Sequence, residues 1–337
     1  PISALISNFE FDNSAQDIAL LRDLSKVSAA AHMPFIGAVS ARFFGKETME
    51  DVVSIRDLID HFDRPEYQKW NALRESPDAR YLGLTLPRFL ARLPYGCDDG
   101  AAHTGNYIEE IRQAGARGFL WANASFAFAT NLVRSFARNG WCVQIRGPQS
   151  GGLVENLPTQ LYDLGAGRLG KITTEALVPE TREYEFAELG LIALSHYKNH
   201  DHACFYSAHS VQHPEVFDTK EASANSRVNA RLPYIFLLSR IAHCLKMIQR
   251  ENIGTTKDRR LLELELNTWI KTLVTEMTDA GDALQAAHPL RKAHVEVEDI
   301  EDNPGFFRVK LFVVPHFQVE GMDVDLSLVS QMPRAKN

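Results

Sequence analysis

The stretch ISALISNFEFDNSAQDIALLRDLSKVSAAAHMPFIGAV, residues 2–39, determines the fold class of this chain. Its two ends, ISALISNF and PFIGAV, are short apolar runs with the length and composition of buried strands. Between them, Ser14 stands as an N-cap with Asp17 three residues later, a variant of the capping box that begins a helix. Four apolar residues at helical spacing predict the buried stripe of this helix: Leu20, Leu24, Val27 and Ala31. A strand, a helix and a second strand predict a layered α/β domain.

The same alternation continues along the first 215 residues. YLGLTLP (81–87) and WCVQIRG (141–147) have the pattern of strands. Between them, FLWANASFAFATNLVRSFARNG (119–140) is an apolar helix that Gly140 should end at its C-cap. We therefore expect residues 1–215 to form a mixed α/β body with a partly parallel sheet.

From residue 216 the pattern changes. SRVNARLPYIFLLSRIAHCLKMIQREN (226–252) predicts one buried helix, with Pro233 in its first turn or at a kink. A second helix is predicted over roughly 257–277. AHVEVEDI and FFRVKLFVVP follow as strands on either side of an EDNPG turn. The prediction for 216–337 is a helix pair followed by an antiparallel sheet, an α+β domain.

The last stretch, HFQVEGMDVDLSLVSQMP (316–333), predicts two short strands in which the apolar face changes parity around Gly321. Its apolar residues are Phe317 and Val319 in the first strand, and Val324, Leu326 and Leu328 in the second. An apolar strand at the edge of a sheet invites pairing with another chain. These five residues are therefore our candidates for strand pairing between subunits.

Composition excludes several classes of protein. The 337 residues are 45% hydrophobic and 23% charged, as in ordinary globular chains, and the net charge of −7 gives no general basis for binding nucleic acid. No apolar run approaches the about 20 residues of a membrane helix. Four dispersed cysteines suggest reduced thiols in the cytoplasm: Cys97, Cys142, Cys204 and Cys244. Because the chain begins at Pro1 directly with a strand-like run, we expect further residues upstream.

One histidine-rich stretch, HYKNHDHACFYSAHSVQH (196–213), is the best candidate for metal chemistry. It contains His196, His200, Asp201, His202, His209 and His213. A metal-dependent hydrolase is the alternative function that it suggests, although the H-E-x-x-H pattern of zinc proteases is absent. Structural or surface histidines are the simpler interpretation.

Other motifs of catalysis and binding are weaker. RGPQSGGLVE (146–155) lacks the spacing of a phosphate-binding loop, so a glycine-rich turn is the better interpretation. Neither a dinucleotide fingerprint nor a nucleophile elbow is present. The sequence thus predicts neither a catalytic group nor a cofactor.

Basic residues at spacings of four occur on the first C-terminal helix. The pairs are Arg227 with Arg231, and Lys246 with Arg250. Residues four apart share one face of a helix. These faces are candidates for contact with a negatively charged partner surface.

Seven long motifs, in order from about residue 8 to 333, resemble the large sheath subunit of the bacterial type VI secretion system, the VipB/TssC family. The motifs are FEFDNSAQDIALLRDLSKVSAAAHMPFIGAVS, RESPDARYLGLTLPRFLARLPYG, FLWANASFAFATNLVRSFARNGWCVQIRG, GGLVENLP, ELGLIALSHYKN, ANSRVNARLPYIFLLSRIAHCLKMI and PHFQVEGMDVDLSLVSQMP. Within the histidine-rich stretch only residues 196–199 match the family.

This resemblance implies a structural, non-enzymatic role. Family members pair with a small sheath subunit (VipA/TssB type) and assemble with other copies into a helical, contractile, cytoplasmic sheath around a tube of hexameric rings. Contraction expels the tube and its effectors, an AAA+ ATPase disassembles the spent sheath, and a baseplate is a further partner. Terminal strands of neighbouring subunits interlace in such sheaths. The resemblance further implies that residues 1–215 form the sheath body and residues 216–337 the inner, tube-facing domain. A one-protein phage or pyocin-type tail sheath is the remaining alternative.

Overall fold

A six-stranded sheet is the centre of the molecule. The computed structural model describes residues 2–95, 107–109, 118–163, 169–197, 200–255, 257–277, 281–300 and 307–316. The strands are β1 (Leu5–Phe11), β2 (Phe35–Val39), β3 (Leu82–Leu86), β4 (Phe89–Leu90), β5 (Trp121–Ala122), β6 (Leu153–Val154), β7 (Gln160–Asp163), β8 (Leu169–Ile172), β9 (Leu191–His196), β10 (Ala203–Phe205), β11 (Leu290–Asp299) and β12 (Phe307–Pro315). The helices are α1 (Ala15–Ala31), α2 (Met49–Val53), α3 (Leu58–Phe62), α4 (Gln68–Arg74), α5 (Ala124–Asn139), α6 (Glu180–Glu188), α7 (Lys220–Asn229), α8 (Leu232–Glu251), α9 (Arg259–Lys271) and α10 (Asp282–Ala287).

The sheet is mixed, with the order β1-β2-β3-β9-β10-β6. The first four strands are parallel to one another, β10 pairs antiparallel with β9, and β6 pairs antiparallel with β10. Strands β2, β3 and β9 are buried along their whole length because helices cover both faces. The predicted fold class, a mixed α/β domain followed by an α+β domain, is confirmed.

One face of the sheet packs against α1 and the α2–α4 region. Ser14 caps α1 as predicted, since its Oγ accepts a hydrogen bond from Asp17 N at 3.2 Å. The predicted buried stripe is wrong for Leu20 and Val27, which are 46% and 59% exposed, and for the exposed Ala31. Leu24 is partly buried against the core, as predicted. The helix instead buries a stripe that contains two serines: Ile18, Leu21, Ser25 and Ser28.

The opposite face packs against α5 and the beginning of α8. Helix α5 ends at Gly140, which adopts a positive φ of 76°, as the sequence predicts. The strand predicted at 141–147 is wrong. Val143 and Ile145 are both buried, but they belong to two different hydrophobic clusters. Apolar residues alternate in this segment because the chain passes here from one core to the other, and not because it forms a strand.

A third core lies between α8, α9 and the β11–β12 hairpin. The continuous helix predicted over 226–252 is divided in two, with Ala230 at the end of α7 and Arg231 as the N-cap of α8. Pro233 lies in the first turn of α8, where its missing N–H costs nothing; in a continuous helix its ring would clash with the carbonyl four residues earlier. Helix α8 is apolar on most sides because Leu232 and Phe236 enter the second core while Leu237 and Ile241 enter the third.

The hairpin has a continuous antiparallel register from Lys292–Val314 to Asp299–Phe307. Helix α9 packs on one face of it through Leu262, Leu266 and Ile270. This helix ends earlier than predicted, and Met277 lies exposed beyond it. The boundary between residues 215 and 216 stays a prediction.

Candidate assembly surfaces

One edge of the hairpin is covered by side chains of α9. The amide of Asn267 acts like a neighbouring strand: its Nδ2 donates to Val295 O at 2.7 Å, and its Oδ1 accepts from Val295 N at 3.0 Å. Two residues further along β11, Val297 N donates to Glu263 Oε2 at 3.1 Å, and Arg259 Nη1 donates to Val297 O at 3.3 Å. The outward backbone groups of Val295 and Val297 are therefore satisfied within the chain, and a further strand cannot pair with this part of β11.

The edge of β12 is different. Among the described residues, no strand pairs with its other side, because the sheet contains β11 and β12 alone. On the solvent face, Phe312 and Val314 are exposed apolar side chains. An unpaired, partly apolar edge is a template for strand addition. The five residues predicted to pair between subunits, Phe317, Val319, Val324, Leu326 and Leu328, lie outside the described residues, so their pairing stays a prediction.

The four basic residues do not form one surface. Lys246 and Arg250 are both exposed near the end of α8, where the spacing of four places them on one face, as predicted. Arg227 lies in the last turn of α7 and Arg231 at the N-cap of α8, so this pair does not share a helix. Because a helix rises about 1.5 Å per residue, Arg231 and Lys246 are roughly 20 Å apart along α8. A role in tube contact stays a prediction for all four.

The histidine-rich stretch is dispersed. His196 Nε2 donates to His200 O at 3.0 Å, while the rings of His200 and His202 are tilted by 44° with centroids 4.9 Å apart. His209 instead bonds through Nδ1 to Ala187 O at 2.6 Å. In the part of the chain that the structure describes, no group of three or more His, Cys, Asp or Glu side chains could hold a metal ion. Burial, ahead of any charge, lowers the pKa of His196 and of His209.

The glycine-rich stretch 146–155 is a turn, as predicted. Gly147 N donates to Phe205 O at 2.7 Å, and Phe205 N donates to Gly152 O at 3.0 Å. A Cβ at Gly152 would approach Gly147 N and Phe205 O to 2.4 Å each. Backbone fills the space over this glycine, so it serves close packing against β10.

Two functional features escaped sequence reasoning. The charged stretch 258–266 looks like an ordinary solvated helix face, although Arg259 and Glu263 reach the edge of β11. A polar Asn267 directly after the buried Leu266 is the signal that could have been noticed. The buried Arg74 gave no signal, because nothing in sequence distinguishes it from exposed arginines.

None of the described helices is long and apolar enough to span a membrane.

The fold is that of contractile sheath proteins. A chain from the baseplate of the anti-feeding prophage superimposes with a TM-score of 0.52 and 10% identity, covering 94% of this chain and 66% of that one. A chain of the sheath complex of PVC, an extracellular contractile injection system, in its contracted state gives the same TM-score and identity, covering 97% and 71%. At this identity the likeness concerns the fold alone.

Sequence comparison identifies the family. The model of the EvpB/VC_A0108 tail sheath N-terminal domain (VipB) matches residues 1–212, and that of the tail sheath gpW/gp25-like domain matches residues 221–332. The type VI secretion system sheath protein TssC1 of Pseudomonas aeruginosa is 42% identical over 338 aligned residues, which span all of this chain and 68% of that protein. The chain belongs to the VipB tail sheath family, and the resemblance inferred from the seven motifs is confirmed.

Proposed function

We propose that this chain is a structural subunit of the contractile sheath of a bacterial type VI secretion system. The observation that carries the proposal is the 42% identity to a type VI sheath protein along the whole chain. Such a subunit assembles with other copies, and with a small sheath subunit, into a helical sheath. The histidine-rich stretch offers no competing metal chemistry within the described residues.

We further propose that subunits are joined by strand addition at β12. The covered edge of β11 leaves β12 as the side where a strand of the same or a neighbouring chain can continue the hairpin sheet. Backbone hydrogen bonds contribute roughly 1 kcal/mol each. Each buried valine or leucine adds about 1.5–3 kcal/mol. Together these contributions amount to several kcal/mol per joint, and the ordering of the arm consumes part of this total.

The remaining partners follow from the same role. We assign contact with the hexameric tube to the basic faces, with Lys246 and Arg250 as the exposed pair. The AAA+ ATPase, the baseplate, a cytoplasmic location and ejection of effectors belong to this proposal without assigned residues.

Electron microscopy of the full-length protein, co-expressed with the small subunit encoded beside it, tests the proposal. Hollow tubules that form only with the small subunit are the expected result. Tubules without the small subunit would indicate a one-protein, phage-like sheath. Dispersed particles under both conditions would overturn the sheath function.

A further inference from the structure

A groove of about 1120 Å³ lies between the helical side of the sheet and the segment that follows β10. Helices α3, α4, α6 and α7 contribute to its walls, and residues 209–218 form another wall. This volume is at the upper end of what drug-sized ligands occupy, and far larger than a single ion requires. Strand pairing at β12 and the basic face at the end of α8 do not involve it.

The floor of the groove contains a buried arginine. Arg74 is 7% exposed, and its guanidinium donates to Val211 O at 3.1 Å through Nε and to Glu188 O at 2.7 Å through Nη2. It forms no ion pair with a described carboxylate, so its charge is balanced only by carbonyl dipoles. Burial lowers the pKa of Arg74 to about 10, still far above neutral pH, so the buried group keeps its charge. A buried charge with only dipoles opposite it is costly unless an anion completes the site.

Two further polar groups of the groove lack partners in the described residues. His209 holds its proton on Nδ1 against Ala187 O, which leaves a buried Nε2 without a hydrogen bond. Ser210 is fully buried, and its Oγ also has no partner. Both residues line the groove beside Arg74. Both atoms are shielded from solvent, so of these three groups it is the Arg74 guanidinium that a carboxylate in the groove meets directly.

The rim of the groove is apolar and acidic. Four of its large apolar side chains are exposed, and Val216 is 88% exposed: Ile59, Tyr184, Val216 and Phe217. Exposed carboxylates, including Glu75 and Asp218, lie on the same rim and repel small free anions. Lys220, Arg227 and Arg231 also line the groove, so positive and negative side chains alternate around an apolar rim. A surface of mixed charge with exposed apolar side chains suits a protein segment better than a free anion.

We propose that this groove binds a protein segment of an adjoining sheath subunit, which places one Asp or Glu carboxylate against Arg74 and apolar side chains against the rim. The proposal rests on the sheath function above. It concerns a second joint between subunits, separate from the strand joint at β12, and it explains why an uncompensated arginine is kept at the floor of an open groove.

Photo-crosslinking in the assembled sheath tests which segment occupies the groove. The photoreactive residue p-benzoylphenylalanine replaces Val216, and the chain is assembled with its small subunit, illuminated and analysed by mass spectrometry. We expect an adduct between subunits that forms in tubules and not in dissociated subunits, on a segment that contains Asp or Glu beside an apolar residue. Tubules without such an adduct, or an adduct on a segment without a carboxylate, would overturn the groove proposal and leave the sheath function intact. If the unsubstituted chain formed no tubules, both would fail.

A matched pair of variants separates the charge of Arg74 from its structural bonds. Arg74→Lys keeps the charge and Arg74→Met removes it, and neither can bridge Val211 O and Glu188 O as the guanidinium does. We expect Arg74→Met to reduce assembled sheath by about tenfold or more while Arg74→Lys assembles nearly normally, with similar melting temperatures for the two free subunits. Equal assembly defects in both variants would show a structural role only. If inorganic phosphate raised the melting temperature of the unsubstituted chain but not of Arg74→Met, and no adduct formed, the groove would be a small-anion site and the proposal would be wrong.

Discussion

At the scale of single residues, His209 shows how burial sets a pH response. Burial lowers its pKa from 6.5 to about 3, and the neighbouring positive charges of Arg231, Arg146 and Arg74 act in the same direction. Between these two pH values the unfolded chain binds a proton that the folded chain does not. The stabilisation is therefore complete above about pH 6.5 and is lost as the pH falls toward 3.

His209→Asn should remove this contribution, because the Asn amide can donate to Ala187 O but does not titrate. We expect the stability difference between the unsubstituted chain and the variant to shift by about 2 kcal/mol in favour of the variant between pH 7.5 and pH 5. Urea unfolding of both proteins at the two pH values measures it. Other histidines with lowered pKa values, such as His61 and His196, are present in both proteins and cancel. A difference that is independent of pH would contradict the assignment.

The side-chain amide of Asn267 covers the edge of β11, and this role can be tested by changing one residue. Its amide satisfies both the N–H and the carbonyl of Val295. Asn267→Ala should lower the free energy of unfolding by about 1–3 kcal/mol, because two buried-edge hydrogen bonds are lost. It should also increase self-association, because the edge of β11 becomes available for pairing.

Urea unfolding and light scattering of the Asn267→Ala variant measure the two effects. Thr268→Ala is the matched control, since among the described residues the Thr268 hydroxyl bonds to Leu264 O alone, within α9. Equal behaviour of the two variants would remove the edge-covering role from Asn267.

At the scale of elements, the sequence predicted which segments are helices and strands better than which faces they bury. Strands β2 and β3 and helix α5 have runs long enough, and caps distinct enough, to be recognised locally. The buried face of α1 was not recognisable, because the sheet accepts Ser25 and Ser28 and leaves Leu20 exposed. Faces depend on the partner against which a helix packs, and that information is distant in sequence.

The same reason limited the candidate surfaces. The β11–β12 hairpin was predictable from alternation, whereas the covering of its edge requires the position of α9. Arg227 and Arg231 appeared to share a helix because the break at Ala230 depends on where Pro233 can be accommodated. Lys246 and Arg250, within an uninterrupted helix, kept their predicted spacing.

Helix α8 provides the test of tube contact. In Lys246→Glu/Arg250→Glu, both exposed positive charges of one face are reversed, and neither residue belongs to the buried side of the helix. A surface charge pair contributes about 0.2–1 kcal/mol. Reversal of two charges should therefore weaken the binding of each sheath subunit to the tube by about tenfold. Because many subunits bind one tube together, the loss of affinity for the whole sheath is larger.

Co-sedimentation of tubules with the purified tube protein, at low and high salt, measures the effect of the reversal. The double variant should fold normally and form sheaths that carry less tube at low salt. Unchanged tube content at low salt would exclude this face of α8.

At the scale of the whole molecule, two of the three cores are connected through one helix. Leu232 and Phe236 of α8 pack on the sheet, and Leu237 and Ile241 pack with the hairpin unit, so α8 belongs to both. His243 Nε2 donates to Ala31 O at 2.9 Å and joins α8 to the end of α1. Because buried side chains connect the two parts, displacement of the hairpin is transmitted to the sheet. An assembly that rotates its subunits therefore needs flexible joints outside this connected body.

The strand joint proposed at β12 is such a place, and removal of residues 322–337 tests it. The described residues of the three cores lie within 4–313, so the shortened chain should keep its fold and its thermal unfolding transition. Its assembly should be lost, because Val324, Leu326 and Leu328 would no longer supply the apolar face of the added strand. Negative-stain microscopy of the shortened chain with the small subunit gives the readout. The control is a full-length chain in which Val324, Leu326 and Leu328 are all changed to Ala, so that the arm is present but lacks its apolar face. If both variants assemble normally, the subunits are joined elsewhere. If the deletion alone fails, main-chain pairing rather than side-chain burial holds the joint.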